Sequence, residues 1–211
     1  MHDDGGAKSL DETHRVESRL AGGAIACPAC LDGVLGGWGY ARARHVEGLD
    51  DPVRPRRARC RSCLVTHVLL PVTMLLRRAY AAERIWMALS ARAEGVGHRG
   101  IAARLQVPPS TVRGWLRRAG QRLESMRAWF VTVAVRTGID VTIPDGLGCG
   151  WRDVEAAVLV AASAIGQRFG SAGLLGVVTP ALVMVAVSGG RLLAPGWPPM
   201  SSAVPHNTSC P

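Results

Sequence analysis

The chain has 211 residues, 48% of them hydrophobic, so it is long enough to bury one large core or two small ones. Its formal net charge is +9, and the whole excess lies in residues 36–127, which contain 18 basic and 6 acidic residues. A codon bias toward arginine would spread this charge evenly, so composition is excluded as its only cause. The concentration favours a polyanionic partner, nucleic acid first, over a merely solvated basic surface.

Residues 1–23 are acidic and polar, and they contain no apolar segment of the kind that a secretory signal requires. We expect a disordered tail here and a cytoplasmic, nucleoid-associated location. Because the cytoplasm is reducing, cysteines are expected to bind metal rather than to form disulfides.

Two cysteine pairs dominate residues 24–73. Cys27 and Cys30 form one C-x2-C motif, Cys60 and Cys63 form another, and 29 residues separate the two. Each motif can direct two thiolates at one centre, and two motifs complete the tetrahedron that Zn²⁺ prefers. The intervening and following residues are typical of a hairpin and a further strand, so the segment predicts a zinc ribbon around one structural zinc ion. Unligated or redox cysteines and a catalytic metal are the alternatives.

Arginines surround the second pair. Arg56, Arg57 and Arg59 lie on the strand that enters it, where alternate side chains share a face. With Arg54 and Arg61 beside the strand there are five arginines, more than a zinc centre with four thiolates requires for neutralisation, so we predict that Arg56, Arg57 and Arg59 contact a phosphate backbone. A solvated strand edge that arginine protects from aggregation is the alternative. His67 can substitute as a ligand, but its position on a strand favours a solvent-facing side chain.

Residues 78–137 change to the helical period and predict a helix-turn-helix DNA-binding domain. A first helix ends near Gly95, and two short helices follow, joined by a three-residue turn in which Pro108 breaks the chain. Such a pair is the helix-turn-helix arrangement, whose second helix enters the major groove of DNA. An ordinary helical pair is the alternative. The apolar face of the second helix consists of Val112, Trp115, Leu116 and Ala119.

The opposite face of that helix predicts the DNA contacts. Arg113 is the candidate for base recognition, because an arginine can donate two hydrogen bonds to O6 and N7 of guanine. Arg99, Arg117 and Arg118 are assigned to phosphates, and Gly114 to close approach of the backbone to DNA. The predicted contacts on these helices are Arg99, Ser110, Thr111, Arg113, Gly114, Arg117 and Arg118.

The last third of the chain is expected to be helical. Residues 121–135 extend the preceding helix, and residues 150–193 form a helical C-terminal region. Residues 169–190 carry no charge, which is long enough for a membrane span, but Pro180 and five glycines favour a buried helix. Residues 194–211 are expected to be disordered. The four acidic residues after position 127 lack the pattern of an RNase H-like metal site, so we do not expect an enzyme.

The segments CPAC, RRARCRSC, THVLLP and GHRGIAARLQVPPSTVRGWLRRA together resemble a family of uncharacterised actinobacterial proteins. They are also similar to the N-terminal DNA-binding regions of insertion-sequence transposases. The resemblance covers residues 25 to about 120 and implies a zinc ribbon followed by a homeodomain-like helix-turn-helix. It implies zinc on the four cysteines and DNA contact through Ser110, Thr111, Arg113 and Arg117. Leu31 and Leu64 depart from the pattern, because such ribbons usually have glycine there, and their turns are expected to be strained.

The sequence thus predicts a mainly α protein with a small β zinc ribbon, a helix-turn-helix and a helical C-terminal region that packs on the first part or dimerises. The expected function is sequence-specific binding of double-stranded DNA, as a transcriptional regulator or a mobile-element-associated protein. One alternative is a non-catalytic subunit or relict of an insertion-sequence transposase, acting with a transposase partner. Another is a membrane-tethered DNA-binding regulator.

Overall fold

The computed structural model describes residues 15–138, 140–170 and 177–198. Within these ranges the protein is mainly helical, with seven helices and one three-stranded antiparallel sheet, as predicted. The elements in chain order are α1 (15–21), β1 (Leu35–Tyr40), β2 (Arg56–Cys60), β3 (Thr66–Leu69), α2 (Ala82–Ala93), α3 (His98–Leu105), α4 (Pro109–Gly120), α5 (Leu123–Thr137), α6 (Gly150–Phe169) and α7 (Pro180–Ser188). Three predicted segments lie outside the described residues: 1–14 and 199–211 of the tails, and 171–176 of the uncharged segment.

The sheet has β2 as its central strand, paired antiparallel with β1 on one side and β3 on the other. Ala58 lies opposite Gly37 and His67, and it is fully buried. Alternation along β2 buries Ala58 and Cys60 and leaves Arg57 exposed. Among the described residues, the side chains beneath the sheet form a core of five buried residues: Leu20, Cys27, Leu35, Ala58 and Cys60.

Helix α1 corrects the prediction of a disordered tail over residues 1–23. Residues 15–21 are helical, and Leu20 is 1% exposed in the small core beneath the sheet. Glu17 on the same helix pairs with Arg56 of β2, at 2.5 Å between a carboxylate oxygen and Nε. The composition of the segment suggested a tail, because Arg56 and most of the small core that Leu20 enters lie far away in the sequence.

A second and much larger core contains buried residues from Leu75 to Trp197 and includes side chains of helices α2 to α7. The predicted separation into a domain at 78–137 and a region at 150–193 therefore does not correspond to two cores. The prediction that the C-terminal region packs on the first part agrees with this arrangement. Ser90 of α2 donates a hydrogen bond to Glu155 of α6, and Arg152 donates one to the carbonyl of Ala93 at 3.2 Å.

Helices α3 and α4 are joined by residues 106–108, as the sequence predicted. Gln106 ends α3 in the left-handed conformation, with φ of 53°, and the N–H of Val107 bonds to the carbonyl of Ala102. Pro109 occupies the first turn of α4, where its missing N–H costs nothing. The four residues predicted for the apolar face of α4 are all buried, and the Trp115 ring packs edge-on against Tyr80 at 5.1 Å.

The predicted extension of this helix through residues 121–135 was wrong at its start. The backbone breaks at Arg122, whose φ of −143° is not helical, and α5 begins at Leu123. The Arg122 guanidinium donates hydrogen bonds to the carbonyls of Ala194, at 2.5 Å, and Trp197, at 3.0 Å. The break thus places a cation where it holds the C-terminal segment.

That segment also differs from the prediction of disorder over 194–211. Trp197 is 4% exposed and packs against Trp129 and Phe130, with ring centroids 6.1 and 6.2 Å apart. Residues 194–198 are therefore ordered against α5. Among the described helices, none combines the length and the apolar character that crossing a bilayer requires. Helix α7 has nine residues, and five of them are buried.

Residues 15–69, which contain α1 and the three strands, are called the sheet module here, and they meet the remaining helices at the loop between β1 and β2. Backbone hydrogen bonds join Glu47 to Ala79 and Ala81, just before α2. Arg84 of α2 donates to the carbonyl of Leu105 at 2.7 Å and lies 3.9 Å from the Glu47 carboxylate. One guanidinium thus contacts both the loop of the sheet module and the end of α3.

Candidate metal centre and basic cleft

The four cysteines of the two C-x2-C motifs come together at one end of the sheet. Their sulfur atoms all lie within 4.8 Å of one another. Cys27 and Cys63 are 3.7 Å apart, and Cys30 and Cys60 are 3.6 Å apart, measured between Sγ atoms. A tetrahedral Zn²⁺ with Zn–S bonds of about 2.3 Å requires S···S separations of about 3.8 Å. The residues present therefore fit a zinc ion, and they bring together all four predicted ligands.

Backbone N–H groups point at two of these sulfurs. Cys60 Sγ accepts hydrogen bonds from the N–H groups of Cys63, at 3.4 Å, and Ser62, at 3.3 Å. Cys27 Sγ accepts one from Ala29 at 3.3 Å. Such donors favour the thiolate, and the bond from Cys63 together with that from Ser62 lowers the pKa of Cys60 to about 6. These backbone hydrogen bonds therefore favour the thiolate form of Cys60 before any metal binds.

Cys30 behaves in the opposite way. The neighbouring Cys63 side chain and burial raise the pKa of Cys30 to about 12, so this thiol keeps its proton when no metal is present. The four residues are free cysteines, and a separation of 3.6 Å is far longer than the S–S bond of about 2.05 Å in a disulfide. A dication bound at the centre would stabilise the thiolate form of Cys30, so this cysteine would lose its proton when the metal binds.

Gly33 lies so close to the sulfur atoms that a side chain at this position would overlap them, and it was not among the site residues predicted from the sequence. A Cβ at this position would lie 2.5 Å from Cys30 Sγ and still closer to Cys60 Sγ. Only a residue without a side chain fits between them. The signal was present as a glycine three residues after the second cysteine of the first motif.

Leu31 and Leu64, the two leucines expected at strained turns, differ in backbone conformation. Leu64 has a φ of 61°, in the left-handed region that favours glycine, whereas Leu31 does not lie in this region.

His67 lies closer to the centre than expected. Its Nε2 is 3.5 Å from Cys27 Sγ, and the residue is half-buried on β3, so the prediction of a solvent-facing strand histidine was wrong. The imidazole can donate a hydrogen bond to the thiolate of Cys27 and neutralise part of its charge. A metal-bound thiolate commonly receives such support from residues around it.

The three arginines predicted on β2 have three different environments. Arg56 is held by Glu17, donates to the carbonyl of Gly39 at 2.5 Å and lies over the Tyr40 ring at 4.6 Å. It is therefore engaged within the protein, which leaves it less available to a phosphate than the prediction assumed. Arg59 donates to the Leu64 carbonyl and stacks over Trp38. Arg57 is exposed, and among the described residues no hydrogen bond or ion pair engages it.

The exposed face of α4 lines an open cleft of about 550 Å³. Arg113 and Arg117 are exposed there, while the opposite face of α4 is buried in the large core. The residues that line the cleft are Arg78, Ser110, Thr111, Arg113, Gly114, Trp115, Arg117 and Arg118. Six of the seven contacts predicted on the helices are thus brought together, and Arg99, exposed on α3, is not part of the cleft. Arg78 was not predicted, because its sequence gives no signal that separates it from its neighbour Arg77.

The structure gives a local reason for a glycine at position 114, in the middle of a helix, which was not apparent from the sequence. Arg118 donates to the carbonyl of Gly114 at 2.9 Å, and a Cβ at position 114 would lie 3.0 Å from the same nitrogen. The glycine therefore lets the Arg118 guanidinium fold back along the helix. None of the described residues that line the cleft has a carboxylate, and their side chains provide positive charge, hydroxyl groups and one indole.

Comparison of the chain with protein-family models, with curated proteins and with solved structures finds no match.

Proposed function

We propose that the protein binds double-stranded DNA in a sequence-specific manner, through α3 and α4 as a helix-turn-helix and through the sheet module as a zinc ribbon. In this proposal it acts by binding rather than by catalysis, as a transcriptional regulator or a mobile-element-associated protein. The observation that carries the proposal is the amphipathic division of α4. One face is buried in the core, and the other presents Ser110, Thr111, Arg113, Arg117 and Arg118 at an open cleft.

The dimensions and chemistry of this face suit the major groove. An α-helix fits a groove about 12 Å wide, and residues near its N-terminus reach the base edges. Arg113 lies in the second turn of α4, is exposed, and makes no hydrogen bond or ion pair with another described residue. It is the residue to which we assign guanine recognition. Arg117 and Arg118, one turn further along, are assigned to phosphates, and Thr111 and Ser110 to hydrogen bonds through their hydroxyls.

Zinc has a structural role in this proposal. Five described residues of the sheet module are buried in its core, and a core of this size is too small for the module to fold by itself. Four cysteine ligands leave no open coordination position for a substrate. The metal would therefore fix the two motifs and the strands between them, and its binding energy would contribute directly to folding of the module.

The sheet module contributes charge to the same partner. Arg57 is exposed on β2, and Arg59 is placed beside it on the same face by the alternation of the strand. We assign these two to sequence-independent phosphate contact. Arg56 is left out of this set, because Glu17 already neutralises it.

The experiment is a selection of binding sites from a random duplex pool with zinc-loaded full-length protein, followed by titrations of the selected site at several salt concentrations. Arg113→Ala is expected to relax the preference at one base pair, a loss of about 1–3 kcal/mol of discrimination. Arg57→Ala is expected to weaken binding to selected and random duplexes alike, and to reduce the slope of log K against log salt by about 1.

A matched control removes the same charge elsewhere. Arg136 is exposed on α5 and does not line the cleft, so Arg136→Ala should leave both the base preference and the salt slope close to those of the wild type. Failure of the zinc-loaded protein to bind any duplex at low salt would overturn the proposal. Equal losses for the Arg113 and Arg57 variants on selected and random DNA would overturn the assigned division of roles.

A further inference from the structure

Arg78 is a half-buried cation at the edge of the cleft, four residues before α2 begins. Its NH2 group donates to the carbonyl of Leu193 at 3.0 Å. Its Nε is buried and has no hydrogen-bond partner among the described residues. Within the same part of the chain, no carboxylate lies at ion-pair distance from it. Its positive charge is thus partly desolvated, and no described carboxylate neutralises it.

A second guanidinium, that of Arg118, makes this arrangement less favourable. Burial lowers the pKa of the Arg78 guanidinium, and the positive charge of Arg118 lowers it further. An arginine cannot escape this cost by losing its proton, because its pKa stays far above neutral. Buried charges in proteins are normally paired, so an unneutralised cation at an open cleft indicates a ligand that supplies the negative charge.

We propose that Arg78 and Arg118, with the hydroxyl of Thr111, form a subsite for one phosphate group at the rim of the cleft. The assignment to a DNA phosphate rests on the proposed function, whereas the anion chemistry does not. Two guanidinium groups that repel each other become favourable neighbours when a phosphate lies between them. Thr111 lies in the first turn of α4, where the helix dipole adds to the positive potential.

The subsite would position α4 rather than read sequence. Arg78 is anchored to the Leu193 carbonyl from the C-terminal segment, whereas Arg118 is anchored to the Gly114 carbonyl on α4 itself. A phosphate that contacts both would fix α4 relative to the DNA backbone, because both guanidinium groups are already held by the protein. Phosphate contacts of this kind set register and orientation on a duplex and carry no base preference.

The test compares Arg78→Gln with Arg77→Gln. Arg77 is the exposed neighbour and does not line the cleft, so both variants remove one charge at nearly the same place. With the selected duplex, Arg78→Gln is expected to reduce the salt slope by about 0.9 and to leave the base preference unchanged. Duplexes that carry one neutral methylphosphonate at each backbone position in turn then locate the contact. One position should weaken the wild type and Arg77→Gln but have no further effect on Arg78→Gln.

Identical salt slopes and methylphosphonate profiles for the two variants would overturn the DNA assignment. Arg78→Lys, which keeps the charge, guards against a purely structural loss, and it should retain the salt slope of the wild type. If the wild type binds no duplex, the proposed function fails and the subsite is tested with inorganic phosphate alone. Phosphate should then raise the melting temperature of the wild type and Arg77→Gln more than that of Arg78→Gln. An equal rise in all three would leave no subsite at Arg78.

Discussion

Replacing Gly33 with alanine tests the metal centre most directly. The added Cβ would lie 2.5 Å from Cys30 Sγ, whereas heavy atoms in contact normally lie about 3.5–4.0 Å apart. An overlap of about 1 Å cannot be relieved by moving either sulfur, since a zinc ligand tolerates about 0.2 Å of displacement. Overpacking of this kind costs about 1–3 kcal/mol, which corresponds to a loss of zinc affinity of about 5- to 150-fold. Because two ligands are affected, we expect a loss of about 100-fold.

The assay is a competition titration of full-length protein against a chromophoric chelator, with reduced cysteines. Circular dichroism follows the helices, whose core is separate from that of the sheet module. Gly22→Ala is the matched control, because its Cβ would meet only the Ser18 carbonyl, at 3.4 Å, which is ordinary contact. Zinc affinity of Gly33→Ala within twofold of the wild type would refute the reasoning, because the four sulfurs would then have another arrangement.

The remaining predictions concern pH and the C-terminal segment. Zinc affinity should fall as the pH decreases, because Cys30, with its pKa of about 12, must release a proton to bind metal. The fall should steepen below about pH 6, where Cys60 also becomes protonated. Calorimetry in buffers of different ionisation enthalpy counts the released protons, and a pH-independent zinc affinity would contradict this prediction. Arg122→Ala should lower the free energy of unfolding by about 1–3 kcal/mol in denaturant titrations, because two carbonyls lose a charged donor. The control Arg127→Ala, which breaks only an exposed pair with Glu124, should change it by less than about 1 kcal/mol, and equal effects would contradict the role of Arg122.

The elements that the sequence predicts well are those stabilised by local patterns. Helix α4 follows from the spacing of Val112, Trp115, Leu116 and Ala119, and all four are buried. The four cysteines follow from two short motifs, and their sulfurs meet as expected. Each of these patterns, the apolar helix face and the single C-x2-C motif, spans only a few positions, so each is visible in a local window of sequence.

The elements that the sequence misses depend on distant partners. Residues 15–21 form a helix because Leu20 reaches the small core and Glu17 pairs with Arg56, 39 residues away. The break before α5 depends on carbonyls more than 70 residues later, which Arg122 binds. Neither partner is visible in a local window of sequence. Propensity and periodicity describe a segment by itself, and tertiary contacts override them here.

The charge pattern shows a similar limit. Several arginines of the basic segment are engaged within the protein: Arg56 by Glu17, Arg84 by Glu47 and the Leu105 carbonyl, and Arg122 by the C-terminal segment. A count of charges therefore overstates how many cations face a partner. Only the structure separates the arginines that stabilise the fold from those that remain exposed, such as Arg57, Arg113 and Arg117.

The contact of Arg84 with both modules has a consequence for the length of any duplex the protein covers. This guanidinium joins Glu47 of the sheet module to the last carbonyl of α3, so it helps to fix the sheet module relative to the helix pair α3–α4. A rigid spacing of this kind would tie the two contact regions to a set number of base pairs along the helical axis. Under the proposed function, duplexes with insertions between the two regions would be bound more weakly even if every base assigned to α4 were intact.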